Sequence, residues 1–515
     1  MATFINPKFD PYIMILDTYG TPLYFKRTSG TDIRVLRDGN LCYAEWNFFN
    51  ASVNYYLTVD NQYKAIDTIR MGNGYYVDAH DILLLENGHY LLMAYDPKVV
   101  DMSGIVEGGK PEAVVVGLVI QEVDIDRNVY FEWRSWDHME ITEASDAVDL
   151  TGEYIDYVHA NAFEFDQDGN LLVSQRHMDE ITKINYETGD IIWRMGILAK
   201  MNDFTFNDTV GFSHQHDIRV LSNGNFTVYD NGNGHKPFPF TQVVEYKIDE
   251  DKKSATKVWS YKQDTNMFAL ATGSNRRITE DRTVIGWGFN WPLLASEVSL
   301  NGDKHFDLLG QDSVFNYRAL KQDWDHNVFT FSNDTLDFGV YDDDVPVTMA
   351  FTITNQMDTP IRITGSHNHL SSYWLVTQLP LEIVTGGNAN IIVGFQSQQS
   401  GIFNDVLTLN FDNVDTTERI ARQIHLTGKT PIGIKEYEND KISVHPNPVT
   451  DLLNISIDLP GEKNISIVNL QGQEVMETKT DKRNIRLSTS QLTKGVYLGL
   501  IRTEDKVASF RFVKK

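Results

Sequence analysis

The 515 residues include a single cysteine, Cys42. That excludes an internal disulfide and any cysteine-based zinc site. Cysteine scarcity suits a reducing compartment, but exported bacterial proteins also dispense with the residue. Basic residues are short as well: 45 Lys and Arg stand against 71 Asp and Glu, a net charge of −26. Such a balance argues against nucleic acid and anionic membrane surfaces as partners. No run of about 18 apolar residues occurs, so no membrane span is expected. The start, MATFINPKFDPYIMILD, has no basic stretch followed by an apolar one, and reads as no signal peptide. Neither a Walker loop nor a dinucleotide fingerprint is present, and no cofactor is expected.

What is present is enough apolar material for sizeable cores, at 41% hydrophobic and 11% aromatic. The length suits about three domains on a prior of roughly 100–200 residues each.

One plan recurs three times. Residues 78–94 read DAHDILLLENGHYLLMA, residues 157–177 read YVHANAFEFDQDGNLLVSQRH, and residues 212–231 read FSHQHDIRVLSNGNFTVYDN. Each is a hairpin with a histidine at its head and a turn at Asn87-Gly88, Asp168-Gly169 or Asn223-Gly224. The Asn-Gly pair predicts a two-residue turn with both residues at positive φ. Hairpins of a second kind, such as ITKINYETGDIIWRM (181–195), fall between these. Paired hairpins at intervals of roughly 50–80 residues match four-stranded propeller blades. The expected fold is all-β, with a six-bladed propeller over residues 1–325. The strand FNYRAL (315–320) would complete the sixth blade with the N-terminal hairpin and leave no open edge.

From 326 to 430, short alternating strands with frequent turns predict an immunoglobulin-like β-sandwich. Residues 431–441 read as a charged linker, and 442–515 as a second, small β-sandwich.

In a propeller the entrances of the inner strands converge on a central channel. His80, His159 and His216 then face one pocket from three blades, with Arg176 at the far end of the strand leaving His159. Asn161 follows His159 by two, on the same face of an extended strand. Three readings are open. The histidines could be ordinary channel lining in a propeller that only binds glycans or surface partners. They could hold zinc with an open position, although a guanidinium beside a divalent cation costs Coulomb energy. Or arginine and imidazoles together could grip a tetrahedral oxyanion. His177 would point away from Arg176 in an extended strand and reads as structural. Trp287, Phe289 and Trp291, in GWGFNW, could line an aryl-binding mouth or pack in the core.

Two family resemblances sharpen these readings. HDILLLENGHYLL (80–92), DYVHANAFEFDQDGNLLVSQRH (156–177), FSHQHDIRVLSNGNFTVYDNGNG (212–234) and VVEYKIDEDKKSATKVWSY (243–261) resemble the bacterial arylsulfate sulfotransferases that need no adenosine phosphosulfate. The resemblance implies transfer of a sulfuryl group from a phenolic sulfate ester to a phenol acceptor through a sulfated histidine. By the matching motifs it makes His216 the nucleophile, His159 and Arg176 sulfate binders, and His80 the acid/base. Asn161 becomes a sulfate or supporting contact, and no metal is implied. His214, two residues from His216, remains a rival nucleophile or a substrate contact.

The second resemblance lies at the other end of the chain. Pro446-Asn447-Pro448, Asn469-Leu470-Gln471-Gly472, Lys494-Gly495-Val496-Tyr497 and the basic end Lys514-Lys515 resemble the C-terminal sorting domain of the Bacteroidetes type IX secretion system. That implies export through the periplasm and outer membrane, with the secretion machinery as partner and a secreted or cell-surface location.

Overall fold

Turn chemistry sets the repeat. At 36–40, 85–89, 166–170 and 221–225 the first residue's N–H donates to the fifth residue's carbonyl, at 2.7–2.8 Å. Only the glycines Gly39, Gly88, Gly169 and Gly224 take positive φ, at 80–84°. Asn87 and Asn223 do not. The hairpins therefore close with a type I turn and a left-handed glycine bulge, not with the two-residue turn expected from Asn-Gly. The structure, a computed structural model, describes residues 2–6, 9–28, 30–45, 54–263, 267–310, 314–324, 327–341, 346–397, 399–412, 418–430, 442–459, 461–503 and 507–515. The expected linker at 431–441 lies outside them.

Six blades follow from these hairpins, each built on four antiparallel strands, with Tyr154–Asp156 and Thr205–Phe206 adding a short parallel strand to blades 3 and 5. Blade 1 joins both ends of the propeller region: Phe315–Ala319 is its inner strand, followed by Ala2–Asn6, Phe9–Leu16 and Pro22–Arg27. Ala2 pairs with Ala319 and Ile5 with Phe315, which closes the ring as expected. The inner strands of blades 2 to 6 are Thr31–Val35, Ile82–Leu84, Ala160–Phe165, His216–Val220 and Ser274–Arg277. Apolar clusters fill the spaces between blades. One holds Leu91, Ile120, Phe163 and Val173; another holds Leu172, Trp193, Ile218 and Tyr246. Each inner strand begins on one face of the ring. Because strands alternate in direction, the loops joining second and third strands lie on that same face.

The middle region is a β-sandwich. One sheet orders Phe329–Phe331, Val347–Asn355, Asn388–Phe395 and Tyr373–Leu375. The other is built on Glu418–Thr430 and Gly401–Asp412. This second sheet runs on into blade 1, where Tyr24 pairs with Ile420. Ile13, Ile15 and Tyr24 share one core with Phe329, Phe411 and Ile424. The pattern change at 326 thus marks no break in the sheet. The C-terminal residues form a small two-sheet sandwich around Val449, Leu453, Ile465, Ile501 and Phe512.

Candidate active site

The floor of the channel is ionic. Asp32, Asp81 and Asp217 and the guanidinium groups of Arg34, Arg219, Arg276 and Arg318 come from five of the six blades. Arg34 reaches Asp81 at 2.6 Å, and Arg219 reaches Asp81 and Asp217 at 2.8 Å each. Arg318 reaches Asp32 at 3.2 Å and Asp81 at 3.3 Å. Arg34 also pairs with Asp32, and Arg276 with Asp217. Each of these arginines therefore has a carboxylate. Burial alone would raise the acids' pKa, but the guanidiniums hold Asp81 and Asp217 below the usual carboxylate range.

Above this floor the histidines meet. His80 lies at the head of blade 3, with Nδ1 on the Asp78 carboxylate. Its ring is 5.2 Å from that of His159, centroid to centroid. His159 sits at φ 49°, a left-handed conformation that Asp156 supports by accepting its backbone N–H at 3.1 Å and its Nδ1–H at 2.5 Å. Tyr95 and Tyr317 pack edge-on against His80. His216 opens the inner strand of blade 5 and is 2% exposed. Its Nδ1 lies 2.7 Å from Asn231 Oδ1 and 3.2 Å from the His214 carbonyl.

Arg176 follows the strand Leu171–Gln175. It donates from Nη1 to His177 Nε2 at 2.7 Å and from Nη2 to the Leu270 carbonyl at 3.1 Å. Both partners are uncharged, and among the described residues it forms no ion pair. Burial accordingly lowers its pKa.

The electrostatics separate the histidines. Burial pushes His216 well below its ordinary pKa, and the charges of Arg176, His80 and His159 push the same way. Burial also pulls on His80, but the Asp78 carboxylate overrides it and its pKa is raised. His177 is pushed down to about 4 by burial and by His159.

The expected residues are otherwise distributed as follows. His214, 6% exposed at φ 53°, is turned to Asp179, which accepts its N–H at 2.6 Å and its Nδ1–H at 3.1 Å. Asn161 is fully buried behind residues 214–216 and donates to the Gln215 carbonyl at 2.7 Å. Trp287 is not at the mouth. It is fully buried and donates to Ser296 Oγ at 2.9 Å, because it packs against Tyr229 and Tyr261 between blades 5 and 6. Trp291 is 49% exposed in the loop between second and third strands of blade 6, on the histidine face. His177 does not point away. Residues 176–178 form a 3₁₀ turn instead of continuing the strand, so alternation fails and the His177 ring lies 4.6 Å from that of His159.

Sequence reading missed Asp78, Asp156, Asp179 and Asn231. Asp78 and Asp156 stand two and three residues before their histidines, a local signal that was available. Asp179 and Asn231 act across hairpins.

Among the described residues, two clusters have the donor atoms of a metal site. In Asp156, His159 and His177 the donors lie within 4.8 Å of one another. His177, however, donates through Nδ1 to the Asp156 carbonyl at 2.6 Å and accepts Arg176 at Nε2, which leaves it no lone pair. Asp166, Asp168 and Glu250 surround the Lys183 ammonium at 2.8, 2.7 and 2.5 Å, so a cation already fills their centre.

Residues 3–293, more than half the chain, match the arylsulfotransferase (ASST) family. The chain belongs to that family. Its residues 443–515 match a secretion system C-terminal sorting domain, which indicates secretion by the type IX route. A curated relative, the arylsulfate sulfotransferase AssT of Escherichia coli O6:H1, is 31% identical over 100 residues, covering 18% of this chain. The match spans only 16% of that relative's length. Among solved structures, a protein of unknown function from Bacteroides caccae matches with a TM-score of 0.39 and 9% identity, over 62% of this chain and 98% of the other. The β-propeller domain of Cps50 (Swd1) from Myceliophteria thermophila matches with a TM-score of 0.33 and 12% identity, over 59% and 82%. No helix among the described residues is long and apolar enough to cross a membrane.

Proposed function

We propose that this propeller transfers a sulfuryl group from a phenolic sulfate ester to a phenol acceptor, with His216 as the transient carrier. The observation that carries the reading is Arg176. It is a largely buried guanidinium whose hydrogen-bond partners among the described residues are neutral, set beside a buried histidine that burial keeps uncharged. A buried cation without a carboxylate is costly, and a bound oxyanion would supply the missing charge.

In the first half-reaction the lone pair of His216 attacks sulfur. An N–S bond forms, the S–O(aryl) bond breaks, and the electron pair leaves on the phenolate oxygen. His80, whose pKa Asp78 raises, gives that oxygen its proton. Arg176 and His159 stabilise the charge on the sulfuryl oxygens. In the second half the acceptor oxygen attacks sulfur, the N–S bond breaks, and the acceptor's proton passes to His80. Splitting the transfer in this way gives two lower barriers and ping-pong kinetics. Asn161 braces the Gln215 carbonyl next to the carrier, His214 is held by Asp179 as a wall of the pocket, and Trp291 offers an aryl contact at the rim. The sorting domain delivers this chemistry outside the cell.

The test is incubation with 4-nitrophenyl sulfate with and without a phenol. Nitrophenolate release that depends on the acceptor supports the transferase. Release into water alone makes the protein a hydrolase, and full turnover by His216→Ala removes the carrier assignment.

A further inference from the structure

Three of the histidines at this site face carboxylates: His80 faces Asp78, His159 faces Asp156 and His214 faces Asp179. His216 faces an amide. We infer that Asn231 is a positioning residue that holds His216 as the Nδ1–H tautomer without charging it, so that Nε2 carries the lone pair. The inference rests on the sulfuryl-transfer reading and adds to it a residue and an atom.

The tautomer follows from the partners. The groups at Nδ1 are the Asn231 amide oxygen at 2.7 Å and the His214 carbonyl at 3.2 Å. Both only accept, so Nδ1 must donate and hold the proton. The orientation of the amide is itself determined. Asn231 Nδ2 donates to the Ala269 carbonyl at 2.9 Å and the Thr272 carbonyl at 3.0 Å, and a flip would set oxygen against two oxygens. Thr241 Oγ1 ties the same strap down. It donates to the Asn231 carbonyl at 2.9 Å and accepts the Ala269 N–H at 2.8 Å. The neighbouring carbonyl of Leu270 receives Arg176, so one short strap holds both the carrier and the sulfate-binding cation.

Amide and carboxylate differ in consequence. An aspartate at 231 would also accept from Nδ1, but its charge would stabilise imidazolium and place a proton on Nε2. The charges that face His216, Arg176, His80 and His159, all disfavour imidazolium. The hydrogen bond to the amide pushes the other way, but burial and these charges outweigh it and His216 stays below its ordinary pKa. The amide also serves the second half-reaction. Once Nε2 carries the sulfuryl group, the Nδ1 proton stays between two neutral acceptors, and the ring is a sulfo-imidazolium. Its N–S bond breaks to give neutral imidazole, a better leaving group than imidazolate.

The experiment uses full-length protein labelled with ¹⁵N-histidine, with His216 assigned by difference against His216→Gln. The expected spectrum shows His216 as the Nδ1–H tautomer with a pyridine-type Nε2. Asn231→Leu should shift His216 toward Nε2–H and slow the nitrophenolate burst about tenfold to a hundredfold, with KM little changed. That is less than the roughly 10⁴-fold a wrong tautomer costs in a serine protease, because the His214 carbonyl remains. Asn231→Asp should keep the tautomer and move the acid limb of the burst rate to higher pH. An Nε2–H tautomer in the parent protein overturns the inference, as does an Asn231→Leu variant with unchanged tautomer and burst. If the parent protein gives no burst at all, sulfuryl transfer falls, and the parent spectrum still decides the part played by Asn231.

Discussion

Two tiers of arginine share one channel and do different work. On the floor, Arg34, Arg219, Arg276 and Arg318 each contact an aspartate. One tier up, Arg176 contacts a carbonyl and a neutral imidazole. The residue type is the same; the partner decides the role. A paired guanidinium spends its charge on holding blades together. One that meets only neutral hydrogen-bond partners, as Arg176 does among the described residues, is left free to serve the proposed ligand, at the cost of its burial. The histidines repeat the contrast, since carboxylates stand behind His80 and His159 and an amide stands behind His216.

The comparison breaks first if the floor is not structural. Arg318→Met leaves Asp32 and Asp81 short of a cation, and should destabilise the protein by about 3–5 kcal/mol, read as a lower midpoint in urea. Arg176→Met removes a cation that forms no ion pair among the described residues. It should leave that midpoint unchanged or higher, yet lower kcat about 10²–10³-fold with an aryl sulfate, as loss of a transition-state donor does. If the two variants exchange these signatures, the assignment of the tiers is wrong.

The pH dependence gives a smaller effect. His177 and His216 have folded pKa values below their unfolded value of about 6.5. Between those limits the unfolded chain binds protons that the folded one refuses. Their contribution is therefore full above about pH 6.5 and is lost as pH falls toward about 4, the folded value of His177. His80 works in the opposite sense, as its stabilisation fades when pH rises through its elevated folded pKa. A melting temperature lower at pH 5 than at pH 7, with the difference reduced in His177→Gln, is the expected result. The smallest effect belongs to the rim: Trp291→Ala should raise KM for aryl substrates by about fivefold, roughly 1 kcal/mol of aromatic contact, with the midpoint in urea unchanged.

Much of this was legible in the sequence, for identifiable reasons. The Asn-Gly and Asp-Gly turns, with a histidine at the same place in three hairpins, gave the propeller and the meeting of His80, His159 and His216. Closure through Phe315–Ala319 followed from a strand left without a partner. The floor was half visible, since DIRVL occurs at 32–36 and again at 217–221, with Asp81 in the same place at the head of DILLL. That these aspartates would meet Arg276 and Arg318 depends on ring geometry, which no local pattern encodes. Trp287 failed because aromatic residues near a loop serve core and mouth alike. His177 failed because a 3₁₀ turn replaced the strand and turned its ring inward. Asn231 was invisible because its partner lies 15 residues away across a hairpin. The union of blade 1 with the sandwich sheet was hidden for the same kind of reason, as Tyr24 and Ile420 meet only in the folded chain.

The proposed carriage of the sulfuryl group by His216 between two phenols has one decisive observable. Its most direct test is to mix the protein with 4-nitrophenyl sulfate and no acceptor, quench in alkali, and map the peptides by mass spectrometry. The expected result is one sulfuryl group on His216 that disappears when phenol is added before the quench. Turnover with no adduct on His216, or with the adduct on His214, would contradict it.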